Sequence, residues 1–265
     1  MNCKSFALVL GGGAGLGFAH LGVIKYLEEL GLKPNVVCGT SIGALIGGVY
    51  ASGKSIDEIF DLIKDFNNFK ILDFKIFPIM SESLLRSDKI NNYLKELFGE
   101  IKIEDLPIKF GCVAVDLNKG ELCEFTSGLL WQAVRASISV PSIFQPFEID
   151  DKKFIDGGVM DNVPTELAFK MGESSNIAVN LIDYDLIMLE QKSLLHCLIN
   201  TINLSQKELV QTKIKTDLLI QLHLKDVSMI NFNLENAQKA FEQGYEQAKS
   251  YKEQLICKFI NCDCE

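Results

Sequence analysis

Short strand-like runs alternate along this chain with stretches of helical periodicity, and that alternation restricts the fold more than any other feature. The runs are Phe6–Leu10, Val36–Cys38, Ile108–Val115, Glu121–Phe125, Ile177–Leu181 and Leu218–Leu222. Between them lie the helical stretches Ala19–Leu30, Ser55–Asp65, Asp88–Phe98 and Leu129–Ser137. A helix between successive strands forces a crossover, so the pattern predicts an α/β protein of three layers, α/β/α, with a central, mostly parallel sheet covered on both faces. Asn118-Lys119-Gly120 reads as a hairpin turn joining two of the strands. Leu234 to Ile260, rich in Glu, Lys, Gln and Ala, predicts one long amphipathic helix. No flexible linker, low-complexity tract or repeat interrupts the pattern. The 265 residues therefore read as a single domain, with a motif-bearing core over about 6–170 and an α/β completion over 171–265.

Composition removes several function classes. The net charge of −9 provides no concentrated basic face for nucleic acid. It also opposes strong attraction to anionic lipid, which leaves transient, peripheral contact with a membrane surface. The first apolar run is five residues long and breaks into glycines, too short for a signal-peptide core or a membrane span. Eight cysteines are scattered along the chain, several inside apolar runs, as reduced thiols of a cytoplasmic protein would be. Cys257, Cys262 and Cys264 lack C-x-x-C spacing and nearby histidines, so no metal and no cofactor are expected.

Three elements can carry chemistry. Gly39-Thr40-Ser41-Ile42-Gly43 follows the second strand and opens a helix through Ala44–Val49. A G-x-S-x-G pentapeptide at such a junction presents its serine on a strained, exposed turn, near the positive end of a helix, so Ser41 is a candidate nucleophile; the plainer reading is an N-capping serine. Gly11-Gly12-Gly13-Ala14-Gly15-Leu16-Gly17 follows the first strand. Successive amides there form an anion-binding nest, either a phosphate cradle or an oxyanion hole. A phosphate loop of the Walker type needs Gly-Lys-Ser/Thr, which is missing. A dinucleotide site needs an acidic residue at the end of the second strand, where this chain carries Ser41, and both facts favour the oxyanion hole. Asp156-Gly157-Gly158, followed by Asp161-Asn162-Val163-Pro164, is either a tight turn pressing its carboxylate against other backbone or an ordinary Asp-Gly turn.

The chain has three histidines. His20 reads as a polar packing residue and His196 as a core histidine inside an apolar helical run. His223, at a strand end, is the one that suits a Ser41–Asp156–His223 triad, by the chain order of α/β-hydrolases. A conventional triad esterase therefore stays open, as does a catalytically silent nucleotide- or acyl-binding module. Phe69 to Met80 is either a lid or acyl-binding wall or core, and Ala136–Pro141 either lines the site with its hydroxyls or simply ends a helix.

The residues resemble a known family. Gly-Gly-Gly-Ala from Gly11 through Ala19-His20 and Gly22-Val23, Gly39-Thr-Ser-Ile-Gly43, Ala136 to Pro141 with Phe144 and Pro146, and Asp156-Gly-Gly158 have the order and spacing of patatin-like phospholipases. The tail, Asp226 to Phe232 ahead of a helix with Gly244-Tyr245, looks like the bacterial members. The resemblance implies a Ser–Asp dyad without histidine, Ser41 as nucleophile and Asp156 as base. It implies an oxyanion hole from the amides of Gly12, Gly13, Ala14 and Gly15, with Gly39, Gly43, Gly157 and Gly158 supporting the two motifs. It implies acyl esters of lipids as substrates and no metal cofactor. Two positions depart from the family: Leu16 stands where Arg or Lys is usual, and Ala14 where a glycine is usual. Without an imidazole, the acid limb of kcat/KM is expected to follow Asp156.

Overall fold

The computed structural model describes residues 4–68, 80–141, 143–183 and 194–260. Ala7–Leu10 (β1) is fully buried along its length, as an interior strand of a parallel sheet must be. Leu8 and Leu10 join the large core on one face, Ala7 and Val9 a smaller core on the other, following the two-residue alternation of a strand.

After β1 come α1 (Phe18–Glu29), β2 (Val36–Thr40), α2 (Ile42–Ala51), α3 (Ile56–Asn68), α4 (Met80–Phe98), β3 (Lys109–Asp116) and β4 (Glu121–Phe125). The chain continues through α5 (Leu130–Ser137), β5 (Phe147–Ile149), β6 (Lys152–Asp156), α6 (Thr165–Lys170), β7 (Asn176–Asn180), α7 (Leu194–Lys213), β8 (Leu218–Gln221), α8 (Leu234–Ser250) and α9 (Lys252–Leu255). Strands β3, β2, β1, β7 and β8 lie side by side and parallel. Helices α1, α2, α5 and α8 supply residues to the large core, while Leu167 and Ala168 of α6 meet Val210 of α7 in the smaller one. The fold is thus mixed α/β with a central, mostly parallel sheet between helical layers, as the alternation implies.

Strand β3 decides where the site forms. Its residues Lys109–Val113 pair parallel with β2, and Cys112–Asp116 pair antiparallel with β4 on the opposite edge. Strand β2 stops at Thr40, opposite Val113. Strand β6 then takes over that edge, running antiparallel with Asp156 opposite Ala114. The end of β6 therefore lies beside the end of β2, one residue from Ser41.

The β5–β6 hairpin is absent from the sequence expectation. Its two-residue turn, Asp150-Asp151, has positive φ at both positions, 48° and 63°, the backbone of a type I′ turn. The Asn118-Lys119-Gly120 turn is present between β3 and β4, with Asp116 Oδ1 accepting from the Asn118 and Lys119 amides at 3.0 and 3.2 Å. One expectation is corrected: Leu234–Ile260 is not one continuous helix, because α8 ends at Ser250 and a wider turn spans Ile256–Ile260. Leu255 and Phe259 are both buried, Phe259 edge-on to Phe6 with ring centroids 5.4 Å apart.

Candidate active site

Ser41 sits between β2 and α2 with φ 55° and ψ −123°, a region costly for a residue with a side chain and held only where the surroundings enforce it. The enforcement is visible. The Ser41 amide donates to Ser137 Oγ at 2.9 Å, and its carbonyl accepts from Ala44 and Leu45. A Cβ at Gly43 would lie 2.1 Å from the Leu10 carbonyl oxygen, and one at Gly39 would lie 2.4 Å from the Gly43 oxygen. The first turn of α2 is thereby pressed onto the end of β1, and only glycine fits at either position.

Ser41 Oγ donates to Asp156 Oδ2 at 2.6 Å. Asp156 is 5% exposed, and its other oxygen, Oδ1, accepts from the Gly158 amide at 2.7 Å. A Cβ at Gly157 would meet the Val113 carbonyl oxygen at 2.4 Å, so the turn after β6 lies flat on β3. Burial pushes the Asp156 carboxyl up from 3.8 to about 6, against the opposing pull of the Ser41 and Gly158 hydrogen bonds. A carboxylate near 6 is a far better proton acceptor at neutral pH than an ordinary aspartate. It also lies close to the imidazole range of about 6.5, so the position of an acid limb does not by itself distinguish the two groups.

The glycine loop rests against this pair. Its Gly12 amide donates to Asn162 O at 3.1 Å and its Gly15 amide to Met229 O at 2.8 Å. Gly13 and Ala14 line a cavity with Ser41, and among the described residues no acceptor engages their amides. Of the four amides expected as donors from the sequence, two therefore anchor the loop, and those of Gly13 and Ala14, which border the cavity, have no acceptor among the described residues. Asn162 clamps the loop a second time through Nδ2, which donates to Gly12 O at 3.4 Å. Sequence reasoning quoted Asn162 without giving it a task; its place two residues before the conformationally restricted Pro164, in a run after Asp156, is the signal available. Ala14 has φ 48°, which explains why glycine suits that position. Leu16 is 1% exposed and packed in the large core.

Two cavities meet at Ser41. An open cleft runs over Asp156, Gly158 and Asn162 to Asn203 and Gln206 of α7. The second is walled by Ile42, Leu45, Ile90, Ile138, Phe144 and Phe232. Beyond Ile42, Leu45 and Phe232 lies a further apolar space reaching Tyr93 and Leu97. Ala14 and Ser41 border both cavities.

The histidines take other places. His20 is fully buried; its Nε2 donates to Gly11 O at 2.8 Å, and burial lowers its pKa to about 4, so a neutral imidazole braces the glycine loop. His223 is exposed and pairs with Asp183, and among the described residues no imidazole touches Ser41 or Asp156. His196 lies on α7, but its side chain falls outside the described residues, as does the stretch 69–79 that reads as a lid or acyl wall. Ala136–Pro141 combines both of its readings. Ser137 holds the Ser41 amide and Val140 and Pro141 line the cleft, while Ser139 Oγ bonds locally to Arg135. Cys38 and Cys112 are buried thiols with pKa values pushed up by burial, and Cys257 is exposed. Cys262 and Cys264 lie outside the described residues. Among the described residues, no cluster of His, Cys, Asp and Glu suits a metal, and no helix is long and apolar enough to cross a membrane.

A strained serine after a strand is thus bonded to a buried aspartate beneath a glycine loop, at the carboxyl end of an α/β sheet. The sequence profile of the patatin-like phospholipases matches residues 8–169, and the chain belongs to that family. An uncharacterized NTE family protein of Mycobacterium tuberculosis is 37% identical over 175 residues, 66% of this chain and 48% of that protein. The lysophospholipase nte1 of Neurospora crassa is 33% identical over 183 residues, 67% of this chain and 12% of that protein. The chain thus spans about half the length of its bacterial relative and far less of the fungal one. Among solved structures, VipD from Legionella pneumophila has the same fold, with a TM-score of 0.57 at 18% identity over 95% of this chain and 67% of that one.

Proposed function

We propose that this protein is a serine acyl hydrolase that cleaves lipid acyl esters through a dyad of Ser41 and Asp156. The hydrogen bond of 2.6 Å from Ser41 Oγ to the buried Asp156 carboxylate carries the reading. Serine is a weak nucleophile without an adjacent base, and this base is desolvated and directly in contact. Membership of the patatin-like family supports the same chemistry.

In the reaction Oγ attacks the ester carbonyl carbon while its proton passes to Asp156 Oδ2. The carbonyl oxygen, now anionic, accepts from the Gly13 and Ala14 amides. Each such donor is worth about 3–4 kcal/mol in the transition state. Collapse of the tetrahedral adduct breaks the C–O bond to the alcohol, which leaves with the proton from Asp156. Water then attacks the acyl-serine, giving its proton to Asp156, and the second adduct releases the fatty acid as Ser41 Oγ regains the proton. The apolar cavity beside Leu45 and Phe144, continuing toward Tyr93 and Leu97, takes the acyl chain.

The test is hydrolysis of a fluorogenic fatty-acyl ester by wild type, Ser41→Ala and Asp156→Asn. Each variant is expected to lose at least about 10³-fold in kcat/KM while keeping its fold. Turnover surviving Ser41→Ala would falsify the assignment.

A further inference from the structure

The wall of the cleft opposite Ser41 carries an unexplained pair of side chains. Asn203 and Gln206 lie three residues apart on α7, so they share one face of that helix, and both line the cleft. Asn203 is 6% exposed and Gln206 1%. Asn203 Nδ2 and both polar atoms of Gln206 are buried and make no hydrogen bond among the described residues. Unpaired buried amides are costly and rare in native structures, and here they border the space that a substrate enters. Gln206 also borders a small crevice beside Asp161 and Lys213 on its far side.

The chemistry of the three orphan atoms is selective. Two are N–H donors and one is a carbonyl acceptor, so a partner must both accept and donate, as a hydroxyl does. A phosphate or carboxylate would satisfy the donors yet press negative charge against Gln206 Oε1. Among the described residues no lysine or arginine lines the cleft, and Asp156 already contributes a carboxyl to it. Leu16, in place of a cation, is buried in the core. The cavity on the other side of Ser41 is apolar throughout. Ser41 thus stands between an apolar cavity and a cleft whose otherwise largely apolar wall carries two unpaired carboxamides.

We infer that Asn203 and Gln206 form a subsite for a hydroxyl on the alcohol portion of the substrate, so that the enzyme prefers neutral, hydroxyl-bearing acyl esters such as partial glycerides. The inference rests on the acyl-hydrolase reading, and its test separates the two. Binding is measured by calorimetry with the ether of octanol and glycerol, with methyl octyl ether, and with the phosphorylated glycerol ether; none contains an ester. The proteins are wild type, Asn203→Leu and Gln206→Met, which remove unsatisfied atoms and keep volume, and so keep the fold. Wild type is expected to bind the glycerol ether about tenfold more tightly than the methyl ether, and each variant to lose most of that preference. In parallel, the ratio of kcat/KM for a glycerol monoester to that for the matched methyl ester is expected to fall by about tenfold. An equal fall on both esters, an unchanged preference, or tighter wild-type binding of the phosphorylated ether overturns the subsite. A hydroxyl preference that the variants abolish, in a protein that hydrolyses neither ester, supports the subsite and sinks the acyl-hydrolase reading instead.

Discussion

Replacing Asp156 with asparagine should abolish turnover and strengthen the fold, and the second effect has a definite pH dependence. The carboxyl is 5% exposed and pushed up from 3.8 to about 6 by burial. Between those values the native state still holds a proton that the unfolded chain has released. Stability is therefore full below pH 3.8 and declines as pH rises, levelling off once pH passes about 6. At about 1.36 kcal/mol per pH unit, the displacement costs the wild type about 3 kcal/mol at pH 8 and less than about 1 kcal/mol at pH 4. Asparagine has nearly the same shape, keeps an acceptor for the Gly158 amide, and carries no charge. Asp156→Asn should thus be more stable than wild type by up to about 3 kcal/mol at pH 8, with most of the gain gone at pH 4. Urea denaturation of both proteins at the two pH values measures it, since other titrating groups cancel in each comparison. A gain equal at both pH values, or a loss that grows toward pH 8, would refute the reasoning: the ionised carboxylate would then be well solvated or stabilised by its donors, and a poor base.

Three further outcomes follow from the same site. The acid limb of kcat/KM should rise through about pH 6 as Asp156 ionises, and it should stay in place in His223→Ala and in Asp161→Asn, although burial also pushes Asp161 up to about 6; a limb displaced by either substitution would assign it elsewhere. Ala14→Gly should raise stability by up to about 1 kcal/mol in thermal or urea unfolding, because relief of a left-handed alanine at φ 48° outweighs the added freedom of the unfolded chain. Leu16→Lys should cost about 3 kcal/mol or more, since residue 16 is 1% exposed among apolar neighbours and an ammonium there is left unpaired; a loss under 1 kcal/mol would show that the side chain reaches solvent.

How far the sequence discloses this molecule depends on which contacts are local. The strand-turn-helix around Ser41 is written in adjacent residues: Val36 and Val37 for the strand, Gly39 and Gly43 for the close packing, Ala44 onward for the helix. The glycine loop and the parallel sheet are legible for the same reason. The β5–β6 hairpin is not, because Glu148, Lys152 and Lys153 dilute its apolar alternation and Asp150-Asp151 lacks the glycine that usually marks a type I′ turn. Yet that hairpin carries Asp156. Its approach to Ser41 depends on β6 occupying the edge of β3 that β2 vacates, a pairing between residues far apart in the chain that no local signal encodes. The same limit hides the anchoring of Gly12 and Gly15, whose acceptors belong to Asn162 and Met229.

Those two anchors bear on the departures at Ala14 and Leu16. The glycine loop is fixed by backbone bonds to Asn162 and Met229 and by His20 on the Gly11 carbonyl, none of which involves a charge at residue 16. Met229 is itself held in a loop whose Ser228 and Asn231 carbonyls accept from the Asn236 side chain at 2.9 and 2.7 Å. A Cβ at Gly15 would come within 2.7 Å of both of those carbonyl oxygens, so the loop ahead of α8 grips the glycine segment by contact as well as by hydrogen bonding. In the proposed mechanism the polarity for a developing oxyanion comes from the oriented amide dipoles of this loop. A cation at residue 16 would add long-range attraction for an anionic headgroup more than it would add catalysis. A core leucine there fits a cleft that no lysine or arginine lines among the described residues.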